Sequence, residues 1–155
     1  MILIRDFHEN DASVCVDIAM EAFKDEIERG MQVFTSEYFV KRQGWKAHKL
    51  IVAEDDDIVG FMMVTDANTF VPAQLHLVAV DREHRRRGIG KQLVQYAIKY
   101  TVDHGWMKLK LSTRPWNTEM RKLCESLGFD EEGLLRKEYL KEDLIQYGYF
   151  PQSRT

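Results

Sequence analysis

The chain has 155 residues, of which 45% are hydrophobic and 30% charged, and its formal net charge is -3. A domain of this size buries roughly 68–70% of the surface its unfolded chain exposes and needs no disulfide or metal staple, while an acidic balance argues against dedicated nucleic-acid binding. Cys15 and Cys124 lie far apart, and the five histidines (His8, His48, His76, His84 and His104) show no zinc-binding spacing, so no metal is expected.

In chain order, residues 2–5 are short and apolar and read as a first strand. Asn10 can cap a helix running through Glu28, where Val14, Ile18, Ala22 and Ile27 recur near helical period. Gly30 ends it, Ser36 restarts helix to about Arg42, and Gly44 breaks it again. Residues 49–54 and 58–65 are β-rich runs around Asp55-Asp56-Asp57, a hairpin whose turn lacks the usual glycine. Residues 67–72 form a loop and 74–80 a strand. A helix follows over 88–104, with Ile89, Leu93, Tyr96, Ala97 and Tyr100 on one stripe. Strand is expected at 107–113, a short helix at 117–127 with Met120, Leu123 and Leu127 inward, and two last strands at 129–135 and 144–150.

The order β-α-α-β-β-β-α-β-α-β-β, without linker, repeat or low-complexity run, describes one α/β domain over residues 1–155. No apolar stretch is long enough to cross a bilayer, so no membrane partner is expected. The start Met1-Ile2-Leu3-Ile4-Arg5-Asp6 lacks a basic leader region, which reads as a reduced, cytoplasmic location.

One segment carries the chemistry. A strand ends at Leu77-Val78-Ala79-Val80, a basic loop follows to Arg87, and a helix opens on Gly88-Ile89-Gly90-Lys91. The first turn of a helix offers unpaired N–H donors and a positive dipole end, which bind phosphate oxygens. Gly88 and Gly90 remove side chains that would hold a pyrophosphate off the backbone, and Arg85, Arg86, Arg87 and Lys91 add positive charge. A Walker loop is excluded, because Gln92 follows Lys91 and Arg85 stands where glycine is needed. A dinucleotide fingerprint is excluded by Leu93, where the third glycine belongs. A surface turn with solvated arginines is the bland alternative.

In this strand–loop–helix setting, Arg85-x-x-Gly88-x-Gly90 resembles the acetyl-CoA signature of the GNAT N-acetyltransferase superfamily. The stretch 117–129 is similar to the family's second motif: Asn117, Gly128 and Phe129 match, whereas Met120 and Cys124 depart. The resemblance implies a single mixed, mostly antiparallel sheet with a splayed parallel strand pair, here 74–80 and 107–113, and helices on both faces. It implies a pantetheine arm bonded to the backbone of Val78, Ala79 and Val80, and a pyrophosphate meeting the amides from Arg86 through Gly88, Ile89 and Gly90 to Lys91. Asn117 would touch the arm, serve as a helix N-cap, or do both. Members often form dimers, so a homodimer is compatible.

Acetyl transfer to an amine needs a neutral nucleophile, a donor for the oxyanion and a proton for the departing thiolate. Family members place a base, Glu or His, nine or eleven positions before the Arg or Gln of the loop. His76 is nine before Arg85, and strand alternation puts Gln74, His76, Val78 and Val80 on one face. His76 is therefore either the base or a histidine satisfied within the sheet. Cys124 stands where many members carry the tyrosine acid, and is either a thiol donor or a small buried residue. Tyr139 and Tyr147 are substitutes, of which only Tyr139 has a family parallel, near the peptide site of N-terminal acetyltransferases. Trp116 packs under the asparagine turn or borders the acceptor site. The runs Asp25-Glu26-x-Glu28 and Asp55-Asp56-Asp57 read as solvated faces that can also attract a cation. The expected activity is transfer from acetyl-CoA to a primary amine by direct attack, the acceptor being a protein N-terminus or a small amine. A catalytically idle acyl-CoA binder is the rival.

Overall fold

The computed structural model describes residues 1–31 and 33–151. Leu3–Asp6 (β1), His48–Asp55 (β2), Asp57–Thr65 (β3), Ala73–Val80 (β4), Leu109–Thr113 (β5), Asp130–Tyr139 (β6) and Glu142–Tyr149 (β7) form one seven-stranded sheet. Its order is β1-β2-β3-β4-β5-β7-β6. All neighbours are antiparallel except β4 and β5. The mixed sheet of the expected fold is therefore present.

The central strands read as nearly continuous apolar runs because both of their faces are covered. Along β2, Leu50 and Val52 join a core with Cys15, Ile18, Phe34 and Phe39 of the first helical layer, while Ile51 and Ala53 join a core with Leu93 and Ala97 of the second. The first layer comprises Ala12–Ala22 (α1), Lys24–Glu28 (α2) and Ser36–Gln43 (α3); the second comprises Ile89–Asp103 (α4) and Thr118–Ser126 (α5).

The helix expected over 10–28 is two helices. Phe23 leaves helical geometry (φ -108°, ψ 25°) and packs its ring against Phe34 at 5.6 Å. Asn10 does not cap α1 but lies in a 3-10 turn, Glu9–Asp11. Asp11 precedes α1 without a side-chain cap bond to it, its carboxylate accepting instead from the His8 N–H at 2.8 Å and from the Arg5 guanidinium at 2.8 and 3.0 Å. The β2–β3 turn closes without glycine because Asp56 adopts φ 64°, a region aspartate tolerates.

The last hairpin is longer than expected. β6 continues to Tyr139 and turns at Leu140-Lys141, with φ 50° and 63°. Tyr139 thus ends a strand rather than sitting in a loop. The turn lacks the Asn-Gly signal for such geometry and is held instead by the Arg29 side chain, which donates to Leu140 O at 2.9 Å.

Gly60 on β3 decides where α4 sits. A Cβ there would lie 3.0 Å from Ala79 O and 3.4 Å from side-chain carbons of Ile89 and Leu93. The helix start rests directly on the sheet at that point. Gly60→Ala should cost about 1–3 kcal/mol through overpacking, read as a lower Tm in a thermal scan; an unchanged Tm would mean that α4 has room to retreat.

Candidate active site

β4 and β5 pair only at Ala73–Leu109 and Gln74–Lys110, then part company. The cause lies on the other side of β4. Val64 pairs with Leu75 but Met63 with Leu77, so His76 is the extra residue of a β-bulge. Bulges bend a strand and increase its twist, which swings the rest of β4 away from β5. The bulge also resets the alternation expected from the sequence. Ala73 and Leu75 face the α4 side, as do Val78 and Val80, whereas Leu77 and Ala79 face the α1 side. Gln74 and Val78 consequently lie on opposite faces, not on one.

The gap opens into a cavity of about 420 Å³ lined by Leu75 to Val78 of β4, by Leu111 to Thr113 of β5, and by Asn117 and Met120 at the α5 side. His76 lines it and is open to solvent. Desolvation by the cavity walls, then the charges of His48 and Lys110, hold its pKa below that of an ordinary histidine. The imidazole is therefore neutral at neutral pH, with a free lone pair.

At the end of β4 the loop doubles back. Asp81 N–H donates to Val59 O at 2.7 Å, and His84 Nδ1 lies 2.7 Å from Asp81 Oδ2. Arg85 is exposed but engaged: Nε donates to Val80 O at 3.2 Å and Nη2 to Glu21 at 2.7 Å, stapling the loop to α1. Arg86 and Gly88 take positive φ (66° and 77°) on either side of Arg87. Left-handed residues of this kind are the building blocks of backbone anion nests. The α4 amide that bonds back to Gly88 O is Gln92, at 3.0 Å, so the amides of Ile89, Gly90 and Lys91 remain as first-turn donors.

Neither glycine of the loop is demanded by packing. A Cβ would meet nothing within 4 Å at Gly88 and only Val80 Cγ2, at 3.8 Å, at Gly90. The space above them is open, as a bound pyrophosphate requires. Arg86, Arg87 and Lys91 are exposed beside it. Asn117 caps α5, its Oδ1 accepting from Met120 N–H at 3.2 Å, and it still lines the cavity.

The tyrosine substitutes separate. Tyr147 is fully buried, its hydroxyl accepting from Arg121 Nε at 3.3 Å, and it does not line the cavity. Tyr139 does, with its phenol pKa raised by desolvation. Cys124 is 0% exposed in the core, and burial pushes its thiol up to about 12. It is the innermost residue of α5, whereas Met120, Leu123 and Leu127 are only partly buried.

The cavity is also walled by Phe23, Glu26, Met31 and Tyr38, with Arg114 and Trp116 beyond β5. Sequence reasoning missed Phe23, Met31, Tyr38 and Arg114 as site residues. Only Glu26 had a signal, the acidic run of α2, of which Asp25 and Glu28 are exposed while Glu26 turns in to bond Arg114. Among the described residues no three His, Cys, Asp or Glu converge on a metal-sized site, and no helix is long and apolar enough to cross a membrane.

Residues 15–129 match the Acetyltransferase (GNAT) family. The chain is similar to the [ribosomal protein bS18]-alanine N-acetyltransferase of Salmonella typhimurium, 33% identical over 104 residues that cover 65% of this chain and 67% of that one. It is also similar to human N-alpha-acetyltransferase 30, 27% identical over 124 residues, or 78% of this chain and 34% of that longer protein. Its fold matches yncA of Salmonella typhimurium, solved with its cofactor acetyl-CoA, with a TM-score of 0.80, 17% identity, and coverage of 97% and 94% of the two chains.

A lowered His76 pKa means that the neutral form persists to lower pH, so its NMR titration midpoint should fall below 6.5. Lys110→Gln removes a positive neighbour and should move the midpoint up. A wild-type midpoint at or above 6.5, or none of this response, would contradict the electrostatics described.

Proposed function

The chain belongs to the GNAT acetyltransferase family, and on that premise we propose that it transfers acetyl from acetyl-CoA to a primary amine by direct attack. The observation that carries this reading is the parting of β4 from β5, which opens a cavity lined by Gln74 to Val78, His76 among them, and by Glu26, Tyr38 and Tyr139 of α2, α3 and β6, on the strand whose far end leads into the open glycine loop. The residues fit the coenzyme. Amides from Arg86 to Lys91 would hold its pyrophosphate, and the free β4 edge at Val78, Ala79 and Val80, with Asn117, would hold its arm. Acetyl-CoA supplies the activated acetyl group when bound.

The protein's own part is proton handling and orientation. His76, neutral for the reasons given, accepts the proton that the amine sheds and, as an imidazolium, can return it to the leaving sulfur. Backbone amides on the parted strand offer the oxyanion a donor. Tyr139, protonated at neutral pH, borders the acceptor rather than acting as base. Cys124 has no part in the chemistry on this reading. We take residues 1–155 as one such domain in a reduced, cytoplasmic setting, in keeping with two free, buried cysteines. A homodimer is compatible with this reading.

The acceptor is a protein or peptide N-terminus or a small amine, and the names of the similar proteins favour the first. One observation favours an idle coenzyme A binder instead: the family's tyrosine position is occupied by a buried thiol. Turnover separates the two. Calorimetry should detect acetyl-CoA, and a thiol-release assay should show acceptor-dependent turnover; binding without any turnover across an amine panel would favour the idle binder.

Arg87→Glu places a negative charge beside the nest and should weaken acetyl-CoA on the order of 3–10-fold by calorimetry; unchanged affinity would remove that arginine from the site. Cys124→Ala should alter kcat by about twofold or less while costing roughly 1 kcal/mol of stability. A large loss of kcat at an unchanged fold would restore the thiol as the acid.

A further inference from the structure

Arg114 follows β5 and is only 8% exposed, yet it bears a permanent charge. Its planar fork sends donors in three directions. Nη1 donates to Glu26, and Nε lies 2.6 Å from Glu142 Oε2, though off the line of a good hydrogen bond. Nη2 is buried and has no hydrogen-bond partner among the described residues. The rings of Trp116 and Tyr139 flank the guanidinium, their centroids 5.8 and 5.3 Å from Cζ. Both rings and Arg114 itself line the cavity. Folded proteins seldom leave such a donor without an oxygen.

We propose that Arg114 Nη2 recognises a carbonyl oxygen on the acceptor, so that the protein selects amines with a C=O on the adjacent carbon over plain alkylamines and polyamines. The inference rests on the acetyl-transfer reading above and narrows its acceptor class. An α-amine carries its carbonyl two bonds from the nucleophilic nitrogen, so a donor to that oxygen orients the nitrogen without touching it. The charges of the wall point the same way. Glu26 is spent on Arg114, and Glu142 is shared between Arg114 and Arg29, whose Nη1 lies 2.8 Å from Oε1. Among the described residues the one carboxylate that lines the cavity, Glu26, is thus paired and not free to draw the second ammonium of a polyamine. Trp116 is 62% exposed and has solvent to turn into as an acceptor seats. A peptide N-terminus and a free amino acid share the required chemistry.

The test compares an alanine-headed tripeptide amide, free alanine, alaninamide, isopropylamine and spermidine as acceptors, with rates corrected to the free-amine fraction. The wild-type protein should prefer alaninamide to isopropylamine by about tenfold or more in kcat/KM. Arg114→Lys keeps a charge for Glu26 but loses the fork. It should lose about tenfold on the carbonyl-bearing acceptors, mainly in KM, and less than about twofold on isopropylamine, with unchanged acetyl-CoA affinity. The tripeptide against free alanine tells which source of the carbonyl is preferred. Equal losses on both acceptor types would mean a merely structural arginine and overturn the proposal. So would no loss at all. If a thermal scan shows that Arg114→Lys does not fold, the wild-type comparison decides, parity of alaninamide and isopropylamine being the overturning result. Transfer without preference leaves acetyl transfer standing; bound acetyl-CoA with no transfer to any acceptor overturns both readings.

Discussion

An interior strand normally hydrogen-bonds on both sides, and β4 gives this up along most of its length. Beyond Gln74 it keeps β3 and abandons β5. Unmet backbone groups in a buried sheet are costly, so the parting must be braced from both walls. On the β4 side the bulge at His76 bends the strand, α4 bears on it over Gly60, and Arg85 ties its end to Glu21. On the β5 side, β7 pairs along the whole strand, and Arg121 of α5 reaches the buried hydroxyl of Tyr147 beneath it. The cleft is an equilibrium shape of the packed chain, with its polar edge already facing inward.

The glycine loop and the cavity wall are charged differently. Near the glycine loop, Arg86, Arg87 and Lys91 are exposed around first-turn amides, Arg86 with a long ion pair to Glu119 at 3.7 Å, although the chain as a whole is acidic. A helix dipole and exposed cations attract a polyanion at long range. Around the cavity wall, Glu26, Arg114, Glu142 and Arg29 form a chain of ion pairs that joins α2, the end of β5 and the β6–β7 turn, with Arg114 Nη2 left over among the described residues. Such a network is worth little as net stability, but it holds the Arg114 guanidinium 5.3 Å from the Tyr139 ring centroid on the cavity wall.

What was legible in the sequence was local. The glycine loop, its strand and its helix are contiguous, and the residue types that bind an anion at a helix terminus are few, so residues 77–91 announced themselves. The element order followed from apolar periodicity. The bulge at His76 left no mark, because it depends on how Val64 and Met63 register against β4, and one added residue in an apolar run looks like any other. The break at Phe23 and the glycine-free turn at Leu140-Lys141 are tertiary outcomes, enforced by Phe34 and Arg29 against local preference. The cavity wall around Arg114 was the least readable part, since Glu26 and Arg114 are 88 positions apart and each looks like a surface charge alone.

The bulge also changes what His76 is. In a regular strand its imidazole would share a face with Gln74 and Val78, and one of the two helical layers would enclose it as a structural group. As the extra residue of a bulge, it escapes both cores and stands open to solvent in the gap made by the same distortion. One added residue therefore parts the strands, frees the β4 edge for hydrogen bonding and delivers a titratable ring to the opening. Cys124, by contrast, lies on the face of α5 that meets the sheet, where a small apolar atom packs and a phenol would need room the core does not offer. With the thiol locked away, the proposed acetyl transfer would rely on a neutral imidazole both to accept and to return the proton. Its lowered pKa suits that double duty, because a weak base is a correspondingly strong acid once protonated.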